Sequence, residues 1–146
     1  MTTMLRRGFL LCPLALSTSS CSRGQEELRE ATPRADEFAR SILRHLANKD
    51  LNSILAVVDP FAEGKLDRRS LETAAEQLPD DILDQAVEYQ LRMSMSAFSE
   101  ATDITGTATF RFVNDGALLV LSLSFTRKAG GFYVDQLYVA PYRIEK

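Results

Sequence analysis

The apolar residues of this 146-residue chain change their spacing once, near Tyr89, and that change limits the architecture more than any other feature. Before it, apolar positions recur every three or four residues, the period of a helix with one buried face; after it they recur every second residue, the period of a half-buried strand. In residues 33–48, Ala35, Phe38, Ala39, Ile42, Leu43 and Leu46 fall within one arc, with Glu37, Arg40, Arg44 and Asn48 opposite. Thr32 and Pro33 supply a helix start, since proline at the first helical position loses no hydrogen bond. Asp50 is placed to cap a second helix carrying Leu51, Ile54, Leu55 and Val58, ended by Asp59-Pro60. A third is expected over about 67–78 with Leu71, Ala74, Ala75 and Leu78 in register, and a fourth from Pro79-Asp80-Asp81 carrying Ile82, Leu83, Ala86 and Val87.

From Tyr89 onward Leu91, Met93 and Met95 alternate with Arg92 and Ser94, and Ala108, Phe110 and Phe112 alternate with Thr107, Thr109 and Arg111. Asn114-Asp115-Gly116 marks a tight hairpin into 117–127, and Ala129-Gly130-Gly131 a second into 132–140. Consecutive hairpins make an antiparallel meander of four strands, whose apolar face the preceding helices must cover. The expected class is α+β, with N-terminal helices packed on a curved four-stranded antiparallel sheet.

The first twenty-one residues follow a different plan. Arg6 and Arg7 precede a ten-residue apolar stretch, 8–17, then Thr18-Ser19-Ser20 and Cys21. Basic, apolar and small, in that order, is an export leader, and ten residues are too few to span a bilayer. The segment resembles a bacterial lipoprotein signal, in which small residues lead to a Cys that is acylated and becomes the mature N-terminus. The resemblance makes Cys21 the lipid attachment residue, although Thr18 stands where the pattern prefers Leu. The other reading is a secretory signal cut after Ser17, giving a protein released into the periplasm. Arg6-Arg7-Gly8-Phe9-Leu10 also resembles the twin-arginine export core, so general and twin-arginine export both remain open. Ser22 after the Cys, instead of Asp, is similar to signals that sort lipoproteins to the outer membrane.

The division expected from this is an export signal over 1–20, a lipidated charged tether over 21–32, which is too polar to bury a core, and a folded domain over 33–146. A leader carrying two of the 17 basic residues and none of the 20 acidic ones takes the net charge from −3 to −5 when it is removed. Such a chain has no cationic surplus for phosphates, so nucleic acid is not an expected partner, and anionic lipid heads would repel it. One His and two Cys are too few soft ligands for a structural zinc, and neither metal nor cofactor is expected.

Helices followed by an antiparallel sheet, with a last hairpin reading Gly130-Gly131-Phe132-Tyr133-Val134, resemble the cone-shaped fold of nuclear transport factor 2 and its bacterial relatives. Phe132 stands where that hairpin usually has Trp. The resemblance implies a pocket between sheet and helices but no activity, because the family holds isomerases, dehydratases, adaptors, immunity proteins and envelope lipoproteins.

Four residues are candidates for that pocket: His45, at the margin of the first helix's apolar arc, and the polar-tipped Tyr89, Gln136 and Tyr138 on the strands. Asp80, Asp84 and Glu88, spaced at i, i+4 and i+8, would align on a helix, where they serve the helix dipole better than a metal. No catalytic residue stands out. Two functions follow: a non-catalytic envelope module, facing the periplasm, that binds a partner protein or small ligand; or an isomerase or dehydratase using Tyr138 or His45 as acid–base group. Apolar residues on both parities of the last strand, Phe132, Val134 and Tyr138 against Tyr133, Leu137 and Val139, with Leu118 and Val120, also point to a covered outer face, either by a homodimer or by the N-terminal helix or the segment Tyr142 to Lys146 folding back within one chain.

Overall fold

Asn114-Asp115-Gly116 turns the chain as its residue types require: Asp115 and Gly116 have φ of 54° and 80°, the left-handed pair that a two-residue hairpin needs. Around it the computed structural model, which describes the backbone of residues 2–61, 66–96, 103–128 and 131–142, and their side chains from Gly24 on except at Ser96, forms an open antiparallel sheet. Its strands are β1 (Glu88–Ser96), β2 (Asp103–Asn114), β3 (Ala117–Lys128) and β4 (Gly131–Pro141), in the order β1-β2-β3-β4. The helices α1 (Thr2–Ala47), α2 (Leu51–Leu55) and α3 (Arg68–Glu76) precede it and cover one face. The class is α+β, as the change of period predicts. The loop residues Ala129 and Gly130 lie outside the described residues, but pairing of Lys128 with Gly131 closes the second hairpin.

Alternation sets the inner face. Ile104, Gly106, Ala108, Phe110 and Phe112 of β2 are all buried, as are Leu121, Leu123 and Phe125 of β3. Ala35, Ala39, Ile42, Leu43 and Leu46 of α1 close over them, with Ile54, Leu71 and Leu78 from the following segments. Each large side chain buried here contributes roughly 1.5–3 kcal/mol. Gly106 is small for a reason: a Cβ there would run into the Phe125 ring and come within 2.9 Å of the Met93 sulfur.

Three expectations need correction. The helix does not begin at Thr32-Pro33: α1 continues through both, and Thr32 Oγ1 donates to the Leu28 carbonyl at 2.6 Å. The charged segment expected as a tether is therefore helical, and it is docked: Gly24 is buried against Met95, Ala31 is buried, and Arg127 meets Glu27 at 3.4 Å. Tertiary burial of a few small residues outweighs a polar composition and an internal proline, whose missing N–H costs one helical bond. Among the described residues no helix is long and apolar enough to cross a membrane.

The fourth helix is absent. Residues 80–84 form turns, with the Ile82 amide donating to the Pro79 carbonyl at 3.1 Å and the Gln85 amide to the Asp81 carbonyl at 3.0 Å. Its apolar residues are divided accordingly, Ile82 buried and Leu83 exposed, and the three spaced acids do not align, since Glu88 opens β1 and pairs with Arg111.

The last correction concerns β4. The register shifts between Ser124 and Phe125, which face Gln136 and Val134, so Asp135 is an extra residue in a β-bulge. The bulge reverses the phase midway, placing Phe132 and Val134 and then Leu137 and Val139 on the one inner face. The apparent two-sided apolarity of this strand is thus a break in alternation. The outer face is mainly hydroxylic, Thr105, Thr107 and Thr109 standing opposite Thr126, Ser124 and Ser122. Its aliphatic residues gather in one corner at Val113, Leu118 and Val120, where the Tyr142 amide donates to the Leu118 carbonyl and Arg111 lies 4.4 Å from the Tyr142 ring centre, and Tyr133 and Tyr138 of β4 share the face.

Candidate functional site

Where β1 begins, α1 and the sheet separate. Pairing starts at Glu88–Arg111, so β2 runs on toward its hairpin with one edge uncovered. Gln85 fills the gap: its Nε2 donates to the Val113 carbonyl at 3.0 Å and its Oε1 accepts from the Val113 amide at 3.3 Å. Asn114 Nδ2 donates to the Gln77 carbonyl at 2.7 Å, tying the end of α3 to the same point. These side-chain clips hold the 79–87 turn beside α1 and leave a cleft of about 270 Å³.

Leu43, Ile82, Val87 and Phe110 give the cleft apolar walls, and Arg40, Arg44 and Gln85 give it a polar rim. Arg40 is fixed on two sides, by a 3.0 Å ion pair with Asp36 one turn earlier and by the Tyr89 ring, whose centre lies 4.4 Å from its guanidinium carbon. Arg44 has no ion pair among the described residues. Tyr89 stacks obliquely on Phe110, ring centres 4.8 Å apart, and its hydroxyl is enclosed without a hydrogen-bond partner. Burial pushes that phenol well above its ordinary value; the Asp36 carboxylate adds to the shift without meeting it in hydrogen-bonding geometry, and Arg40 opposes it. The phenol is neutral at any physiological pH.

Of the four pocket candidates His45, Tyr89, Gln136 and Tyr138, Tyr89 alone lines this cleft. His45 faces away from it and meets Asp50 at 3.3 Å, in a small cluster where Ser53 Oγ donates to the Asp50 carboxylate at 2.6 Å. That Ser53 hydrogen bond chiefly lowers the Asp50 carboxyl, His45 helping. Gln136 and Tyr138 follow the bulge, and their register with Ser124 and Ser122 puts them on the outer face, exposed. The four candidates are therefore not brought together. Helical periodicity puts Arg40 and Arg44 on a solvated helix face, and Ile82 and Val87 on a helix that does not form, so it gives no sign of Asp36 or Gln85 beside them. Arg40 and Arg44, one turn apart beside apolar Leu43, were the available signal.

A second cluster joins the bulge to the chain after α2. The Val134 amide donates to the Val57 carbonyl at 2.7 Å and the Asp59 amide to the Val134 carbonyl at 2.9 Å, a parallel bridge on the open edge of β4. Asp59 is 7% exposed and accepts from Lys128 Nζ at 2.7 Å and from the Phe61 amide at 2.9 Å. Lys128 holds the Asp59 carboxyl below the ordinary aspartate value. Asp135 is shifted the other way, by burial first and by the Asp59 charge, although Thr126 Oγ1 donates to it at 2.5 Å. This is an edge clasp: it seals the side of the sheet that a further strand would otherwise extend. Among the described residues no three His, Cys, Asp or Glu side chains are grouped so as to hold a metal ion.

Comparison with protein-family models, with curated proteins and with solved structures yields no match for this chain.

Proposed function

We propose that this chain is a lipid-anchored protein of the bacterial cell envelope, facing the periplasm and more akin to outer-membrane than inner-membrane lipoproteins, with a non-catalytic, nuclear transport factor 2-like domain that binds a small amphipathic anion. Support for the anchor is the order of the leader, Arg6-Arg7, the apolar run and Ser19-Ser20-Cys21. Support for the fold family is the element order, helices and then a four-stranded antiparallel sheet with a pocket between them.

The observation that carries the binding reading is the pairing of two cations, Arg40 and Arg44, with apolar Leu43, Ile82, Val87 and Phe110 around one cleft. Apolar walls with a few fixed polar groups are the usual composition of a ligand site. The cleft's size suits a short aliphatic or aromatic carboxylate, its charged head at the arginines and its body against Ile82 and Phe110. An isomerase or dehydratase needs an acid–base pair facing one cavity, whereas His45 lies beside Asp50 and Tyr138 on the opposite face of the sheet.

Calorimetric titration of the domain with octanoate tests the ligand class. Saturable binding that weakens at least tenfold when Arg40 and Arg44 are both replaced by Ala is expected, with octylamine not binding. No heat from octanoate at millimolar concentration rejects it in favour of a macromolecular partner. Labelling with radioactive palmitate, present in the parent and absent in Cys21→Ala, tests the anchor.

A further inference from the structure

We infer that the lipid surface itself is a docking partner: an acylated Cys21 holds the end of the domain formed by Gly24, Met95, the start of β2 and the end of β3 directly against the bilayer, with the cleft turned toward the periplasm. This rests on the lipid-anchor reading above and adds what that reading leaves open, the orientation and distance of the domain.

Chain length carries the inference. The charged residues after Cys21 have the composition of a polar linker, yet Gly24 is already buried against Met95. Three residues then separate the lipid from the packed domain, a reach of about 10 Å even when fully extended. The next turns of α1 are also fastened, through Glu27 to Arg127 and through buried Ala31, so slack cannot be drawn from them without unpacking the core. Two cations near this end are matched within the domain, Arg127 by Glu27 and Lys128 by Asp59, and Asp103 at the start of β2 is exposed, so the surface is held at the membrane by the short connection and not by attraction to anionic heads.

Strand direction then fixes what points outward. Met95 lies at the end of β1 and pairs with Ile104 near the start of β2, whereas the Asp115-Gly116 hairpin lies at the far end of β2, about 37 Å along the strand. Arg40 is sixteen residues along α1 from Gly24, about 24 Å of helix. The cleft, at the start of β1 and the second half of α1, is therefore membrane-distal and loads from the aqueous side, not from within the bilayer.

The test uses the full-length, exported protein reconstituted in phosphatidylethanolamine–phosphatidylglycerol vesicles that contain a headgroup nitroxide lipid. Ser94→Cys and Asp115→Cys, both at exposed sites, are each labelled with a small fluorophore, the acylated Cys21 being unreactive. Quenching several-fold stronger at position 94 than at 115 is expected, and a twelve-residue Gly-Ser insertion after Ser22 should bring the two together. Equal quenching in the parent, with palmitate present on Cys21, overturns the orientation alone. Absence of palmitate overturns the anchor reading and this inference with it.

Discussion

The two ends of the sheet's inner face are built from the same helix and the same strands, yet one is packed solid and the other is open. Toward the end of β3, Phe38 of α1 meets Phe125 and Phe132 with ring centres 5.4 and 5.6 Å apart, and Phe125 occupies the space that Gly106 leaves. Toward the start of β1, Arg40 and Arg44 take the place of such rings on α1, and the cleft appears between them, Ile82 and Tyr89. The helix spacing is continuous across both regions. Side-chain volume decides the difference: alanines at 31, 35 and 39 allow α1 to approach the sheet, and nothing on α1 is shaped to fill the far end once the chain has turned at 79–87.

The packed end is most vulnerable at Phe125. Its replacement by Ala should cost about 3–5 kcal/mol, read from urea denaturation, because the Phe38 and Phe132 rings both lose their partner in a region with no room to collapse. A loss under about 1 kcal/mol would show that this end is no more tightly packed than the cleft. Gly106→Ala attacks the same spot by addition. Overpacking against the Phe125 ring should cost about 1–3 kcal/mol, and combining it with Phe125→Leu should recover part of that loss in a double-mutant cycle.

At the open end the sign reverses. Tyr89→Phe removes an enclosed hydroxyl that has no partner, so the free energy of unfolding should rise by about 1 kcal/mol, while octanoate affinity stays within twofold of the parent if the arginines carry the head group. A drop in stability would mean that the hydroxyl is satisfied after all.

The smallest effect is expected at the edge clasp, and it depends on pH. Asp59 has a lowered value in the fold, so its contribution is present at neutral pH and is lost as pH falls through the ordinary aspartate range and below. Asp135, raised by burial, works in the opposite sense and regains stability as it protonates, blunting the loss. Lys128→Met should melt lower than the parent at pH 7, with the gap closing on acidification toward pH 3 as Asp59 loses its charge. A gap independent of pH would exclude the ion pair as its cause.

Much of this arrangement was readable in one dimension. The third helix begins where it is expected, at Asp67, which accepts from the Ser70 amide at 2.8 Å, whereas Asp50, expected to cap α2, makes no side-chain cap bond. The alternation through 104–112 and 119–125 gave the inner face correctly because side-chain direction in a strand depends on local backbone geometry alone. Even the bulge left a trace in the sequence, since Phe132-x-Val134 and Leu137-x-Val139 are out of phase by one residue across Asp135.

The candidate site was much less legible, and for a physical reason. Arg40 and Tyr89 are joined by a contact between residues 49 positions apart, and Asp59 and Lys128 by one between residues 69 positions apart; no local period encodes such encounters. The apolar residues of 79–87 satisfy a helical pattern as well as they satisfy a turn, and it is Gln85, reaching Val113 at the uncovered edge of β2, that selects the turn. Period and turn residues act within a few positions, and for that reason the class, the order of the strands and the buried faces of β2 and β3 follow from the sequence alone. Tertiary structure decided where α1 begins to pack, which side of β4 faces inward after Asp135, and where a cleft opens, because each depends on how volumes and unpaired backbone groups from distant segments fit against one another.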